Sequence, residues 1–279
     1  MKNILVPTDF SNNAYNALFH ATQLMQGEAC TFYILNVYNG FTPLRGKRIP
    51  NKDLEEQWRE ESLEGLLKVS HRIKLVETDP KHVFKTFIRK GDLAITVSET
   101  VAEKEIDLVV MGNSGRSEID AIFMGSSALD TIDKAKKCPV MTIPKQIDFE
   151  PPKDIAFVTD YHNSYDAGLL QPLRFIAKRY GSKIRVMHIN EEEVLDRHQA
   201  MNRSILQEYL LPFEHTFHWM PLLKSKATAI NIFLEELEID LLAMVNYEHS
   251  FLERWTREPV IKRVGFNNNI PFLVIPYGN

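Results

Sequence analysis

The feature that most limits what this chain can fold into is an internal repeat. Lys2-Asn3-Ile4, followed by Thr8-Asp9-Phe10, returns as Lys153-Asp154-Ile155, followed by Thr159-Asp160-Tyr161. Glu105-Ile106-Asp107-Leu108 returns as Glu238-Ile239-Asp240-Leu241. Cys138-Pro139-Val140 through Ile143-Pro144 returns as Ile270-Pro271-Phe272 through Ile275-Pro276. Matched pieces in one order, spread along both halves, point to a single structural plan built twice. With 279 residues the chain has room for two ordinary domains. Lys145 to Pro152 reads as a short linker, which gives domains over 1–147 and 153–279.

Within the first half, hydrophobic periodicity alternates between two kinds. Lys2 to Pro7 reads as a strand, and Ser11 as the N-cap of a helix reaching about Gln26. Ala14, Ala17, Leu18, Ala21, Leu24 and Met25 share one face of that helix, and Gly27 closes it. Cys30 to Tyr38 is a second strand, and Asn39 to Lys52 reads as a loop rich in Gly, Pro and basic residues. A helix from about Leu54 to Ser70 follows, with Leu54, Trp58, Leu66 and Val69 as its buried positions. Then come a strand over His82 to Arg89 and a helix from Asp92 to Lys104 that turns Ala94, Val97 and Val101 inward. Strands joined by helix-length connections predict a parallel sheet covered on both faces, with right-handed crossovers. The fold class is therefore α/β: two open, doubly wound, Rossmann-like domains in tandem.

The stretch from Met111 to Pro144 carries the chemistry. The apolar run Ile106 to Met111 stops at Gly112, and Gly115 follows. Nine residues further on stand Gly125, Ser126 and Ser127, and then a helical pattern with Leu129, Ile132 and Ala135 on one face. A second apolar strand begins at Pro139. Glycine lets backbone turn with positive φ and approach a ligand closely. Ser126 stands where an N-cap belongs, ahead of N–H groups that have no intrahelical partner. Those groups and the helix dipole favour an anion, and the two hydroxyls add donors. The plainer reading is a glycine-containing loop before an ordinary capped helix.

The spacing G-x2-G-x9-G-[S/T] after an apolar strand, with a helix and a Cys-Pro-Val strand behind it, resembles the universal stress protein family. The resemblance spans nearly the whole chain through the repeat. It implies an adenine nucleotide alpha hydrolase-like fold and an ATP-binding stress-response module, with Mg²⁺ accompanying the ATP. Carried over by motif, the nucleotide's ribose and phosphates would meet Met111, Gly112, Gly115, Gly125, Ser126 and Ser127. Pro7, Thr8 and Asp9, with Val37 at the end of the second strand, would meet the adenosine. Arg116, beside the glycine turn, could reach a phosphate or be solvated. For Thr8-Asp9 the alternative is a strand-to-helix cap, since the pair recurs at Thr159-Asp160.

The two copies part where the chemistry lies. Met111-Gly112-Asn113-Ser114-Gly115 corresponds to Met244-Val245-Asn246-Tyr247-Glu248, and Gly125-Ser126-Ser127 to Arg257-Glu258-Pro259. Glycines are gone, Glu248 and Glu258 would repel a phosphate, and Trp255 would fill space. The expectation is nucleotide in the first domain and a structural role for the second.

Other candidates are set aside. Gly40 to Lys47 imitates a P-loop but misses its spacing, and Arg48 stands where Ser or Thr must bind magnesium. Arg45, Lys47 and Arg48 are read as solvated loop charges, with a basic lid over triphosphate as the alternative. His215 and His218 lack a third ligand, so no protein metal site is expected. Catalytic residues are not assigned. The resembling hydrolases carry a Ser-Gly-Gly-x-Asp-Ser loop where this chain has Pro7-Thr8-Asp9-Phe10-Ser11, so at most weak ATP hydrolysis is expected. The alternatives to a binding module are that slow ATPase and a scaffold without ligand. A net charge of −4 argues against a general nucleic-acid binder. The first apolar run is too short for a signal peptide or membrane span. Cys30 and Cys138, with no Cys or His at metal spacing, fit a reducing, cytoplasmic setting. Val140 to Ile143 and Phe272 to Ile275 would be exposed apolar edges, so they are expected to pair as an intramolecular pseudo-dimer. Homodimerisation of whole chains, and any protein partner, stay open at this level.

Overall fold

The computed structural model describes residues 1–38, 41–44, 47–50, 52–113, 124–145, 147–190, 194–221, 223, 226–247 and 270–278. The chain divides into two units, Met1–Asp148 and Phe149–Asn279.

In the first unit, β1 (Lys2–Pro7) lies between β2 (Cys30–Tyr38) and β6 (Leu108–Gly112). Outside them stand β5 (His82–Lys90), beside β2, and β7 (Val140–Ile143), beside β6. All four pairings are parallel. The connections are α1 (Asn12–Leu24), α2 (Lys52–Val76), α3 (Leu93–Glu103) and α4 (Ser126–Lys134). Ile4, Leu5 and Val6 of the central strand are fully buried, as expected of a strand covered on both faces. The six apolar positions expected on α1 are all buried, and Ser11 caps it by accepting the Ala14 N–H. Asp92 caps α3 in the same way, through the Ile95 N–H.

Two departures appear. The segment expected to be loop between β2 and α2 contains an antiparallel hairpin of β3 (Phe41–Leu44) and β4 (Lys47–Pro50). Its prolines obscured it, yet a two-stranded ribbon has outer edges where Pro costs no ladder bond. Helix α2 also runs past Ser70 to Val76, where Ile73 is fully buried.

The second unit repeats the plan. β8 (Asp154–Val158) lies between β9 (Lys183–Asn190) and β11 (Leu241–Asn246), with β10 (His215–Pro221) beside β9 and β12 (Phe272–Pro276) beside β11. These pairings are again parallel, and the described helices are α5 (Gln171–Tyr180), α6 (Arg197–Leu210) and α7 (Lys226–Glu236).

The repeat extends to single atoms. Asp107 accepts the Asn3 N–H at 2.7 Å and returns its own N–H to the Asn3 carbonyl at 2.8 Å. Asp240 accepts the Asp154 N–H at 2.8 Å and returns its own to the Asp154 carbonyl at 3.0 Å. Glu105 and Glu238, just ahead of these pairs, both adopt left-handed backbone, with φ of 49° and 48°.

Candidate functional site

In an open parallel sheet, ligands bind beyond the carboxyl ends of the strands where the strand order reverses. In the first unit that place lies between β1 and β6, because the chain proceeds outward to β2 and β5 on one side and to β7 on the other. Pro7, Thr8 and Asp9 end β1, while Met111 and Gly112 end β6. Val37 lies near the end of β2, paired with Arg89. The sheet thus brings these predicted residues to one edge.

The turn after β1 is held by three side chains in succession. Thr8 Oγ1 accepts the Phe10 N–H at 3.0 Å, Asp9 Oδ1 accepts the Ser11 N–H at 3.0 Å, and Ser11 Oγ accepts the Ala14 N–H at 3.1 Å. Asn36 of β2 donates to the Thr8 carbonyl at 2.7 Å. Phe10 is left with φ of 66°, its ring over Gly65 of α2, where a Cβ would come within 2.5 Å of the ring. One Asp9 oxygen therefore already serves the backbone.

Gly112 differs from expectation. Its backbone is not in the left-handed region, and a Cβ there would lie 2.5 Å from Nδ2 of Asn13, so a side chain would force Asn13 to shift. The Cβ direction of Gly112 thus faces the first turn of α1. Beyond Gly112, the Asn113 N–H donates to the Ile143 carbonyl at 2.9 Å, and the Asn113 carbonyl accepts the Gly125 N–H at 2.6 Å. The end of β6 and the residue ahead of α4 are therefore bonded to each other.

Gly125, not Ser126, is the N-cap of α4, and no side chain caps it. The Gly125 carbonyl takes the first helical bonds, from Ala128 at 3.0 Å and Leu129 at 3.2 Å. Ser126 and Ser127 are then the first helical residues, exposed, with N–H groups that have no intrahelical acceptor. Buried Ala128, Thr131 and Ile132 hold the helix to its unit. This end of α4 can receive an anion through backbone N–H groups and the helix dipole. Gly115 and Arg116 lie outside the described residues. Asn13, Asn36, Gly65 and Asn113 were not singled out by the sequence; their contacts join residues far apart in the chain.

The corresponding edge of the second unit is built differently. Thr159 Oγ1 accepts the Tyr161 N–H at 3.1 Å and Asp160 Oδ1 the His162 N–H at 3.0 Å, repeating the turn. Helix α5, however, starts only at Gln171. The intervening coil buries Tyr165, whose hydroxyl shares a hydrogen bond with Thr159 Oγ1. Tyr161 stacks on His188 with centroids 4.8 Å apart, and Tyr247 lies 4.8 Å from the ring of Tyr277. Gln199 and Asn202 of α6 donate to the carbonyls of Asp160 and Tyr161, at 2.9 and 2.8 Å. Burial raises the phenols of Tyr161, Tyr165 and Tyr247 above their ordinary range, so they stay neutral. Glu248, Trp255, Arg257, Glu258 and Pro259 lie outside the described residues.

Among the described residues, no group of three or more His, Cys, Asp or Glu side chains could hold a metal ion. Among the same residues, no helix is long and apolar enough to cross a membrane.

The family profile described as the universal stress protein family matches residues 1–144. The chain belongs to the universal stress protein family. A solved universal stress protein from Archaeoglobus fulgidus aligns over 99% of this chain and 97% of its own, with a TM-score of 0.71 at 20% identity. A structure from Pseudomonas aeruginosa aligns over 99% and 93%, with a TM-score of 0.58 at 14% identity. At these identities the likeness is one of fold, and it extends over both halves of this tandem family member. No curated protein sequence matches the chain.

Proposed function

We propose that this universal stress protein binds an adenine nucleotide, ATP with its Mg²⁺, at the carboxyl edge of the first unit, as part of a stress response. The observation that carries the reading is the clasp between the Asn113 carbonyl and the Gly125 N–H. It brings the start of α4, with the N–H groups of Ser126 and Ser127, back to the end of β6. The edge is shared with Pro7, Thr8, Asp9, Met111 and Gly112, with Val37 nearby, and Gly115 and Arg116 stand in the sequence between the two clasped residues. Mg²⁺ would be held chiefly by the phosphate oxygens of the nucleotide.

In this reading the domain over 153–279, within the second unit, is structural. Buried tyrosines stand at the edge that corresponds to the nucleotide edge of the domain over 1–147. Hydrolysis is at most weak. Phosphoryl transfer needs a positioned nucleophile and charge stabilisers, and Asp9 commits one oxygen to its own turn. The buried thiols of Cys30 and Cys138, neither of them in a disulfide, fit the reducing cytoplasm.

The test is equilibrium binding of ATP to the purified chain, with native mass spectrometry of whatever co-purifies. Wild type should bind ATP. Gly115→Val should abolish binding, because a β-branched residue resists the positive φ expected of that turn. Equal binding by wild type and Gly115→Val would remove the glycine loop from the site, and no binding by wild type would leave the scaffold reading.

A further inference from the structure

We infer that Asn13 is a positioning residue for the start of α4, whose N–H groups would receive the nucleotide's phosphates, and that Gly112 is glycine to make room for it. This rests on the nucleotide reading above but assigns a role to a side chain outside the family motif. A Cβ on Gly112 would lie 2.5 Å from Asn13 Nδ2, 2.8 Å from its Cγ and 3.3 Å from its carbonyl carbon. Any side chain there would force Asn13 to shift. The motif's first glycine therefore answers to a neighbour within the protein.

Asn13 is an unexpected residue for its place. It stands in the first turn of α1, only 2% exposed, among alanines and leucines. Asparagine is a weaker helix former than alanine, and burying its amide costs free energy unless the amide is bonded. Its Nδ2 donates to Asn113 Oδ1 at 3.3 Å, inside the protein. Asn113 is itself 5% exposed, and its backbone bonds both to Ile143 of β7 and to Gly125 ahead of α4. Contact thus runs from the first turn of α1, through the Asn113 side chain, to the N–H that begins α4. Because α1 follows directly on the Thr8-Asp9 turn, Asn13 couples the end of β1 to the end of β6.

The second copy supports the pairing independently. Gly112 corresponds to Val245, which is buried, so a side chain is accommodated there. The position of Asn13, counted from the shared Thr-Asp turn, is Ser164, and it is exposed. Where the glycine is lost, the buried amide is lost with it.

Asn13→Ala, Asn113→Ala, Gly112→Ala and the doubles Asn13→Ala/Asn113→Ala and Gly112→Ala/Asn13→Ala test this. Three readouts apply: ATP affinity, thermal midpoint, and hydrogen exchange at the Gly125 amide without nucleotide. Asn13→Ala should weaken ATP binding by about tenfold and speed exchange at Gly125. The Asn13→Ala/Asn113→Ala double should bind no more weakly than Asn113→Ala, because both act on one link. A purely structural role would lower the thermal midpoint and leave ATP affinity and Gly125 exchange as in wild type. Gly112→Ala should lower the thermal midpoint or prevent folding, and adding Asn13→Ala should restore part of it by removing the colliding amide. Wild-type affinity and unchanged Gly125 exchange in Asn13→Ala would overturn the inference, as would a Gly112→Ala/Asn13→Ala double no better than Gly112→Ala. If wild type binds no ATP, the nucleotide reading fails, while Gly125 exchange and the glycine double still decide whether Asn13 positions the start of α4.

Discussion

Phe10 and Tyr161 share one backbone conformation, with φ of 66° and 59°, at corresponding places in the two units. Each has its N–H taken by the threonine two residues earlier, at 3.0 and 3.1 Å. The aspartate between them accepts the next N–H at 3.0 Å in both. Left-handed backbone at a residue with a side chain costs roughly 1–2 kcal/mol, so the two bonds offset a real strain. The Thr-Asp pair is therefore part of the architecture, and its recurrence says nothing by itself about a ligand. Thr8→Val and Thr159→Val should each destabilise the protein by about 1–2 kcal/mol. Urea denaturation of the two variants checks this, and a neutral Thr159→Val would break the equivalence of the turns.

The ring of Phe10 yields a prediction of opposite sign to the usual helix rule. Exchanging glycine for alanine inside a helix ordinarily stabilises by roughly 0.5–1 kcal/mol. At Gly65 the new methyl would sit 2.5 Å from the Phe10 ring. Gly65→Ala should therefore destabilise, by about 1–3 kcal/mol as overpacking does. In a Phe10→Ala background the same change should turn favourable. Thermal midpoints of the four proteins measure it, and additivity would show that ring and methyl never meet.

Turns such as Thr8-Asp9-Phe10 are legible in sequence because neighbours in the chain build them, so the repeat and the alternation of strand and helix could be read directly. The N-caps Ser11 and Asp92 follow from the same short-range chemistry. Gly112 is different. Its spacing suggested a ligand, and the spacing gave no sign of Asn13, which meets the Cβ direction of Gly112 only once α1 has packed beside β6. Tyr165 was hidden likewise: one aromatic in a coil gives no periodicity, and its partner Thr159 is met only in the folded unit. Ser126 was misplaced by a single residue because Gly125, extended at φ −62° and ψ 152°, serves as N-cap with no side chain. The prolines of the β3–β4 hairpin read as breakers although an isolated ribbon tolerates them.

Stability should fall on both sides of neutrality. Burial lowers the pKa of His20, whose Nε2 lies 3.1 Å from the Ile147 carbonyl, and burial followed by Arg185 lowers that of His218. Below the ordinary value of 6.5 the unfolded chain takes protons that the folded chain refuses. Stability from these groups is thus complete above that value and declines as pH falls from it toward the folded pKa. On the alkaline side, burial pushes the Cys138 thiol up to about 12, and raises Tyr161, Tyr165 and Tyr247. From pH 9.0 for the thiol and 10.0 for the phenols, the unfolded chain releases protons that the folded chain keeps, so stability drops as pH rises. His20→Gln should flatten the acid limb of urea midpoints measured against pH. An unchanged limb would assign it to other groups.

The tyrosines of the second unit give the most direct test of unequal roles for the two halves. Tyr165→Phe removes the hydroxyl bonded to Thr159 Oγ1 and keeps the ring that lies 6.2 Å, edge-on, from Phe157. The packing survives and one buried bond is lost, a change of about 1 kcal/mol in stability. Thr159 Oγ1 would keep the Tyr161 N–H as its partner, so the turn should persist. If ATP sits only in the first unit, its affinity for Tyr165→Phe should match wild type within about twofold, well under the 1.4 kcal/mol of a tenfold change. The same holds for Tyr247→Phe. Calorimetric titration beside a melting curve separates the two quantities. A stability loss with affinity intact fits a structural second unit, whereas an affinity loss without a stability loss would place nucleotide at the tyrosines and reverse the assignment.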